Sequence, residues 1–255
     1  MGAEPRQTEI LALLQRRGYV SIEGMAAHFS VTPQTIRRDI NGLSDQGLVV
    51  RQHGGASLPS SIANVDVALR RVAGIAEKQR IAKAVADHLP DRASLFMTLG
   101  TTVEAIARAL AETSKQMVIA TNNPEVARIL GNCDGFELFL TGGSVQAHNG
   151  GLVGPAALSF VQGMRCDWLV MSCGAIESDG SVFDYRADEV AVARAMTANA
   201  RRVLVAADCG KFTRNATHFV GNLSACAALF TDAAPPAPIR ALARDASLEL
   251  IVAEE

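Results

Sequence analysis

Two runs of apolar residues near the amino terminus repeat at the spacing of an α-helix, so that each run would line one buried face. They are Ile22, Met25, Ala26 and Phe29, followed by Ile36, Ile40 and Leu43. Ser30 and Val31 separate the runs, and Thr32 with Pro33 supplies an N-cap and a first-turn proline for the second helix. The pattern predicts two short helices joined by a tight turn.

A short β-hairpin is predicted directly after the second helix. Leu48, Val49 and Val50 form an apolar run, and the pair Gly54 and Gly55 permits a tight return of the chain. A hairpin in this position is the wing of a winged helix-turn-helix. We therefore predict such a domain over residues 1–57.

The rest of the chain alternates between two kinds of pattern. From about Glu77, helical stretches are separated by short apolar runs such as SLFMTLG, QMVIATN and RRVLVAADC. This alternation predicts βαβ units, and hence a mostly parallel α/β domain over residues 77–255 with helices on both faces of the sheet. Residues 58–76 begin with a stretch rich in Pro and Ser that has no helical or strand period, and we predict a linker there.

Placing the apolar residues of the second helix against a core turns a face rich in hydrogen-bond donors towards solvent. Such a face suits the major groove of DNA, where Arg reaches guanine, Gln reaches adenine, and hydroxyls near the helix start meet phosphates. The wing would add side chains at the backbone or in the minor groove. The candidate DNA-binding residues are Thr32, Gln34, Thr35, Arg37, Arg38, Asn41, Arg51 and His53. The alternative is a small helical bundle with an ordinary solvated arginine face.

Glycine or small polar residues follow three predicted strands in succession. Ligands of open α/β sheets bind outside the carboxyl ends of the strands, and a helix that starts there offers free N–H groups to a phosphate. One such turn alone is an ordinary strand-to-helix connection with a threonine cap, but three of them converging predict a ligand site. The residues are Gly100, Thr101 and Thr102, then Thr121, Asn122 and Asn123, then Thr141, Gly142 and Gly143.

Three charged residues farther along the chain are candidates for the same site. Lys211 suits a phosphate or hydroxyl group, and the carboxylates of Asp184 and Glu189 suit the oxygens of a polyol. Each of the three could instead be a surface charge.

Composition limits the classes of protein that fit. The chain has 255 residues, 49% of them hydrophobic, and a net charge of -2, which excludes a generally polycationic DNA binder. The five cysteines are odd in number and include no CxxC pair, so we expect no zinc ribbon and no disulfide framework. We also expect no metal and no cofactor. Without a signal-type segment or a long apolar run, we expect a soluble, cytoplasmic protein with no membrane contact.

The segments FSVTPQTIRRDINGL and RQHGGA resemble the DeoR family of bacterial transcriptional regulators. The resemblance continues through LPSS, LGTT, TNN, the DG of Asp179 and Gly180, KFTRNA and TDAAPP, and so covers nearly the whole chain. It implies a ribose-5-phosphate-isomerase-like domain that senses a phosphorylated sugar or polyol, with glycerol 3-phosphate as the first candidate. The positions that it assigns to the effector are LGTT, TNN, Gly142, Gly143, Asp184 and Lys211.

Two positions depart from the family pattern. Thr98 stands where the family usually has Asp, and Gly210 stands where it commonly has Ser. These departures leave the phosphate loop intact but bear on the identity of the effector.

The function that this sequence predicts is a repressor that binds operator DNA as a homodimer or homotetramer and is released by a phosphorylated effector. Two alternatives stay open. One is a sugar-phosphate isomerase with an accessory DNA-binding domain, in which Asp184 or Glu189 would act as the base. The other is an activator of the same class, because the sequence shows how DNA would be bound and not where the promoter lies.

Overall fold

The structure, a computed structural model, describes residues 5–45, 48–52, 54–58, 67–72 and 74–253. The chain divides into two compact units, Met1–Ile75 and Ala76–Glu255. A short helix, Val67–Val72, lies within the stretch predicted as a linker. The predicted limits of that linker stay a prediction.

The first unit contains helices packed on a three-stranded antiparallel sheet with the strand order β1-β3-β2. Its elements are α1 (Pro5–Arg17), β1 (Tyr19–Ser21), α2 (Ile22–Phe29), α3 (Pro33–Asp45), β2 (Val50–Gln52), β3 (Gly55–Ser57) and α4 (Val67–Val72). The hairpin β2–β3 is the predicted wing, although its first strand begins at Val50 and not at Leu48. Val49 lies before the strand pairing starts and is buried in the core of this unit.

The helix-turn-helix is confirmed, and α3 has the predicted cap. The hydroxyl of Ser21 accepts the N–H of Gly24 at 3.0 Å and so caps α2. Ser30 then takes a left-handed backbone conformation with a φ of 53°. Thr32 accepts the N–H of Thr35 at 3.2 Å, and Pro33 opens α3.

Helix α1 was not predicted, although it supplies a large share of the core of the first unit. Ile10, Leu11 and Leu14 are almost completely buried and pack in one cluster with Met25 and Ile36. Their spacing of three and four residues was a readable signal of a helix. The polar start of the chain obscured it.

The second unit is built on a seven-stranded sheet in which every neighbouring pair is parallel, in the order β15-β14-β12-β9-β4-β5-β6. The strands of this sheet are β4 (Ala93–Met97), β5 (Met117–Thr121), β6 (Phe136–Leu140), β9 (Cys166–Met171), β12 (Ala200–Ala206), β14 (Ala228–Thr231) and β15 (Glu249–Val252). The helices are α5 (Ile75–His88), α6 (Thr101–Ala111), α7 (Pro124–Leu130), α8 (Pro155–Gln162), α9 (Ala187–Ala198) and α10 (Ala237–Asp245).

The predicted parallel sheet with two covered faces is confirmed. Leu95 and Met97 of β4 belong to the hydrophobic cluster on one face, and Phe96 between them belongs to the cluster on the other. Successive side chains of a strand point to opposite faces, so continuous burial along β4 requires cover on both sides. Within the described residues, no helix has the length and apolar character needed to cross a membrane.

Small antiparallel elements were not anticipated. They are the hairpin of β7 (Ser144–Val145) and β8 (Leu152–Val153), and a sheet of β10 (Ala175–Ile176), β11 (Ser181–Asp184) and β13 (His218–Asn222). Strands of two to five residues show too little alternation to be read from the sequence. Both elements nevertheless lie beside the candidate ligand site.

Candidate DNA-binding surface and ligand site

Helix α3 presents the predicted donor-rich face. Ile36, Ile40 and Leu43 are buried, and the opposite side carries exposed polar and basic side chains. Those exposed residues are Thr32, Gln34, Arg37, Arg38 and Asn41, while Thr35 is partly buried. The hydroxyls of Thr32 and Thr35 lie 2.9 Å apart at the start of the helix.

A partly buried ion pair lies on the core-facing side of α3 and was not predicted. Arg6 of α1 binds both carboxylate oxygens of Asp39, with its Nε 2.6 Å from Oδ2 and its Nη2 3.1 Å from Oδ1. Asp39 is next to Arg38 in the sequence but faces α1 and the core. The acidic side chain is thereby removed from the surface that the arginines occupy.

The wing is tied to the same face. Nη1 of Arg51 in β2 donates a hydrogen bond of 2.9 Å to Oδ1 of Asn41 in α3. Two of the predicted DNA-binding residues are therefore in direct contact, although they belong to different elements. His53 lies outside the described residues.

The three predicted strand ends converge in the second unit, because β4, β5 and β6 are neighbours in a parallel sheet. Met97 at the end of β4 pairs in register with Thr121 of β5, which in turn pairs with Leu140 of β6. Gly100 follows β4 with a φ of 132° and starts α6 without a side-chain cap. Free N–H groups with partial positive charge therefore stand at this edge of the sheet.

This edge is also the point where the strand order reverses. The chain proceeds outwards from β4 through β5 to β6 in one direction, and from β9 through β12 and β14 to β15 in the other. A Cβ atom on Gly100 would lie 3.5 Å from the Cβ of Ser172, which follows β9. The loop after β4 thus occupies the switch point, where open α/β sheets bind their ligands. Ser172 was not among the predicted residues.

The buried side chain of Thr121 bonds to the backbone at the ends of β4 and β5. Its hydroxyl donates to the carbonyl of Met97 at 2.7 Å and accepts the N–H of Asn123 at 3.0 Å, and the residue is completely buried. Its place in the candidate site is therefore to hold the ends of β4 and β5 together. Gly142 and Gly143 lie exposed after β6 with φ values of 69° and 116°.

Asp184 and Lys211 act on a common neighbour on the other side of the switch point. The pKa of the Cys173 thiol is raised to about 12, chiefly by burial; Lys211 and Arg214 act to lower it, and Asp184 and Asp208 act to raise it. These charged residues therefore lie within electrostatic range of one buried thiol just after β9. Arg214 and Asp208 were not predicted, and their nearest atoms are 4.0 Å apart.

Asp208 is a carboxylate on which three basic side chains of this cluster act. Burial raises its pKa, but Lys211, Arg214 and Lys78 together with the N–H of Gly210 outweigh burial, and the pKa is lowered overall. Lys78 is a buried lysine on α5 that sequence reasoning missed.

The side chain of Glu189 is hydrogen-bonded to the loop between β7 and β8. Its Oε1 lies 2.8 Å from Nε2 of His148 and accepts a hydrogen bond of 2.9 Å from Nδ2 of Asn149. Asp188 beside it accepts a hydrogen bond from the side chain of Gln146. The first turn of α9 therefore holds this loop in place.

Comparison with known proteins agrees with both units. Residues 6–62 match the DeoR-like helix-turn-helix domain, and residues 74–233 match the DeoR C terminal sensor domain. This chain belongs to the DeoR family. The resemblance stated on the sequence motifs is thereby confirmed over most of the chain.

Named members of the DeoR family are similar to this chain over nearly its full length. The HTH-type transcriptional repressor CsqR of Escherichia coli is 43% identical over 98% of this chain and 96% of its own length. The glycerol-3-phosphate regulon repressor of Escherichia coli is 40% identical over 96% of this chain and 97% of its own length. Among solved structures, ribose 5-phosphate isomerase A from Neisseria gonorrhoeae aligns with 54% of this chain and 53% of that chain at 12% identity and a TM-score of 0.36.

Proposed function

We propose that this protein represses genes of carbohydrate or polyol metabolism and is released from its operator by a phosphorylated sugar or polyol. The observation that carries the proposal is the exposed face of α3, where Gln34, Arg37 and Arg38 stand free of the acidic Asp39. The sign of regulation is supported by the relatives, which are named as repressors.

The DNA contact is proposed to follow the geometry of the winged helix-turn-helix. Helix α3 enters the major groove, Arg37, Arg38 and Gln34 read base edges, and the hydroxyls of Thr32 and Thr35 contact phosphate. Arg51 of the wing contacts the backbone or the minor groove. One unit of this size makes few base contacts, so we propose that a homodimer or homotetramer binds repeated half-sites.

The effector is proposed to bind at the switch point of the large sheet. Its phosphate would meet the N–H groups at the start of α6 and the side chains of Thr101 and Thr102, with Lys211 as a further cationic partner. Glycerol 3-phosphate is the first candidate, because a relative 40% identical to this chain is named for its regulon. Asp184 would accept hydrogen bonds from effector hydroxyls.

Release from DNA would follow from thermodynamic linkage between effector binding and DNA binding. The effector lowers DNA affinity only to the extent that it binds the non-binding conformation more tightly than the DNA-binding one. Typical coupling of this kind changes affinity by about 5- to 150-fold.

The decisive experiment starts from an operator selected from a random duplex library with the full-length chain, followed by gel-shift titration. We expect a selected sequence to bind more tightly than random duplex, and glycerol 3-phosphate to weaken that binding. If no sequence is enriched, the proposed function is wrong. A reporter driven by the selected operator distinguishes repression from activation, and incubation with ribose 5-phosphate tests the isomerase alternative, in which turnover would be lost in Asp184→Asn.

A further inference from the structure

Three buried side-chain atoms in the described part of the chain have no hydrogen-bond partner, and two of them belong to adjacent residues. They are Oδ1 of Asn122, Nδ2 of Asn123 and Oγ1 of Thr231. Asn122 and Asn123 directly follow β5, and Thr231 ends β14, so all three lie at the carboxyl edge of the large sheet. Folded proteins rarely leave buried polar atoms unpaired, and such atoms call for a specific explanation.

The two asparagines have fixed and opposite hydrogen-bonding demands. Nδ2 of Asn122 donates to the carbonyl of Leu152 at 3.1 Å, which sets the orientation of the amide and leaves its Oδ1 as a free acceptor. Oδ1 of Asn123 accepts the N–H of Glu125 at 3.0 Å and caps α7, which leaves its Nδ2 as a free donor. A group that satisfies both residues must therefore donate one hydrogen bond, to Oδ1 of Asn122, and accept another, from Nδ2 of Asn123.

These atoms stand one strand away from the candidate phosphate position. Neighbouring strands lie about 4.8 Å apart, and β5 is the neighbour of β4, which leads into the start of α6. A ligand whose phosphate lies at the start of α6 would therefore bring to Asn122 and Asn123 a group only a few bonds from its phosphorus atom.

We propose that Asn122 and Asn123 select an effector with a hydroxyl on the carbon next to the one that carries the phosphate ester. A hydroxyl both donates to Oδ1 of Asn122 and accepts from Nδ2 of Asn123. A carbonyl at that carbon can only accept, and a methylene can do neither. The inference rests on the proposed function, in which a phosphate ester binds at α6.

The β7–β8 hairpin covers this position. The N–H of Leu152 in β8 donates to the carbonyl of Asn122 at 2.9 Å, so Leu152 binds both the backbone and the side chain of that residue. The loop of the same hairpin is held to α9 by Asp188 and Glu189. Entry of the hydroxyl requires displacement of the hairpin, and its return encloses the bound group.

The test compares three phosphate esters that differ only at one carbon, by calorimetric titration of the full-length chain. The probes are glycerol 3-phosphate, 3-hydroxypropyl phosphate, which lacks the hydroxyl, and dihydroxyacetone phosphate, which has a carbonyl there. We expect the second and third to bind about 5- to 150-fold more weakly, because one or both amide groups remain unpaired. Equal affinity for all three would overturn this inference but not the proposed function. Binding of none of them would overturn this inference and exclude glycerol 3-phosphate as the effector.

A variant tests the role of the amide. Asn123→Ser keeps a side-chain oxygen to cap α7 but removes the free N–H, so it should bind glycerol 3-phosphate more weakly and lose most of the preference over 3-hydroxypropyl phosphate. Asn222→Ser is the matched control, because Asn222 also caps a short helix through Oδ1 while its Nδ2 is already bonded to the carbonyl of Asp179. An unchanged preference in Asn123→Ser would contradict the proposal. If that variant does not fold, the three esters still decide the matter on the natural chain.

Discussion

At the scale of single residues, the clearest relation between stability and proposed function is the placement of Asp39. The core-facing side of α3 carries a carboxylate that could compete with phosphate for the arginines beside it. Its two hydrogen bonds to Arg6 hold it against α1, with 5% of the side chain exposed. The same contact that joins α1 to α3 therefore keeps the exposed face of α3 basic.

Arg38 belongs to that exposed face, and its replacement tests the DNA-binding proposal. We expect Arg38→Ala to weaken binding to the selected operator by about 1 to 3 kcal/mol while leaving the melting temperature unchanged, because a bidentate contact to guanine is lost. Gel-shift titration against operator and random duplex measures the change. Arg17→Ala, an equal change of charge at an exposed position at the end of α1, is the control. Equal losses in the two variants would assign Arg38 to general charge attraction only.

Lys211 provides the corresponding test in the second unit. We expect Lys211→Ala to weaken the response to glycerol 3-phosphate at least severalfold, because a cation is removed from the phosphate, while affinity for operator in the absence of effector stays the same. Effector titration of the preformed DNA complex measures this. Lys83→Ala removes an exposed lysine from α5 and should leave the response unchanged. A normal response in Lys211→Ala would exclude this lysine as a ligand.

One residue, Asp208, predicts how the stability of the fold changes with pH. Its pKa is lowered in the folded chain, since Lys211, Arg214 and Lys78 outweigh the effect of burial. A carboxylate of this kind stabilises the fold above its ordinary pKa of 3.8, and the contribution is lost as the pH falls through the lower folded value. We expect Asp208→Asn to cost about 1 to 3 kcal/mol at pH 7 and progressively less below about pH 4. Urea unfolding at both pH values, with the exposed Asp134→Asn as control, checks this sign.

At the scale of elements, the β7–β8 hairpin depends on α9 for its position. Its loop is bonded to Asp188 and Glu189 in the first turn of that helix, whereas its two short strands contribute only two paired positions. Such a small hairpin has little stability of its own. The contacts with α9 therefore help to hold the hairpin beside Asn122.

We expect Glu189→Ala to loosen this loop without unfolding the second unit, because His148 and Asn149 both lose their partner. Amide hydrogen exchange of residues 146–151 should accelerate, and glycerol 3-phosphate should dissociate faster. Glu112→Ala, an exposed carboxylate at the end of α6, should do neither. Unchanged exchange in Glu189→Ala would show that the hairpin is held by its contacts with Asn122 instead.

At the scale of the whole molecule, periodic patterns were predictable and long-range pairing was not. Helices α2 and α3 and the parallel sheet follow from apolar spacing and capping residues such as Ser21 and Thr32, which act within a few positions of the chain. The convergence of three strand ends was predictable as well, because parallel strands share an edge. The contact of Arg6 with Asp39, and the electrostatic effect of Lys78 on Asp208, join residues far apart in sequence that carry no local signal.

Under the proposed function, linkage makes a prediction about both units together. If glycerol 3-phosphate lowers operator affinity by a given factor, operator DNA must lower the affinity for glycerol 3-phosphate by the same factor, which we expect to be about 5- to 150-fold. Calorimetric titration of the effector with and without saturating operator measures the change in effector affinity. Gel-shift titration of operator with and without effector measures the change in operator affinity. The comparison should use random duplex as a control, because general charge attraction without a change of conformation would couple to the effector only weakly. Effector binding that is equally tight in the presence and absence of operator would show that the second unit senses its ligand without controlling the first.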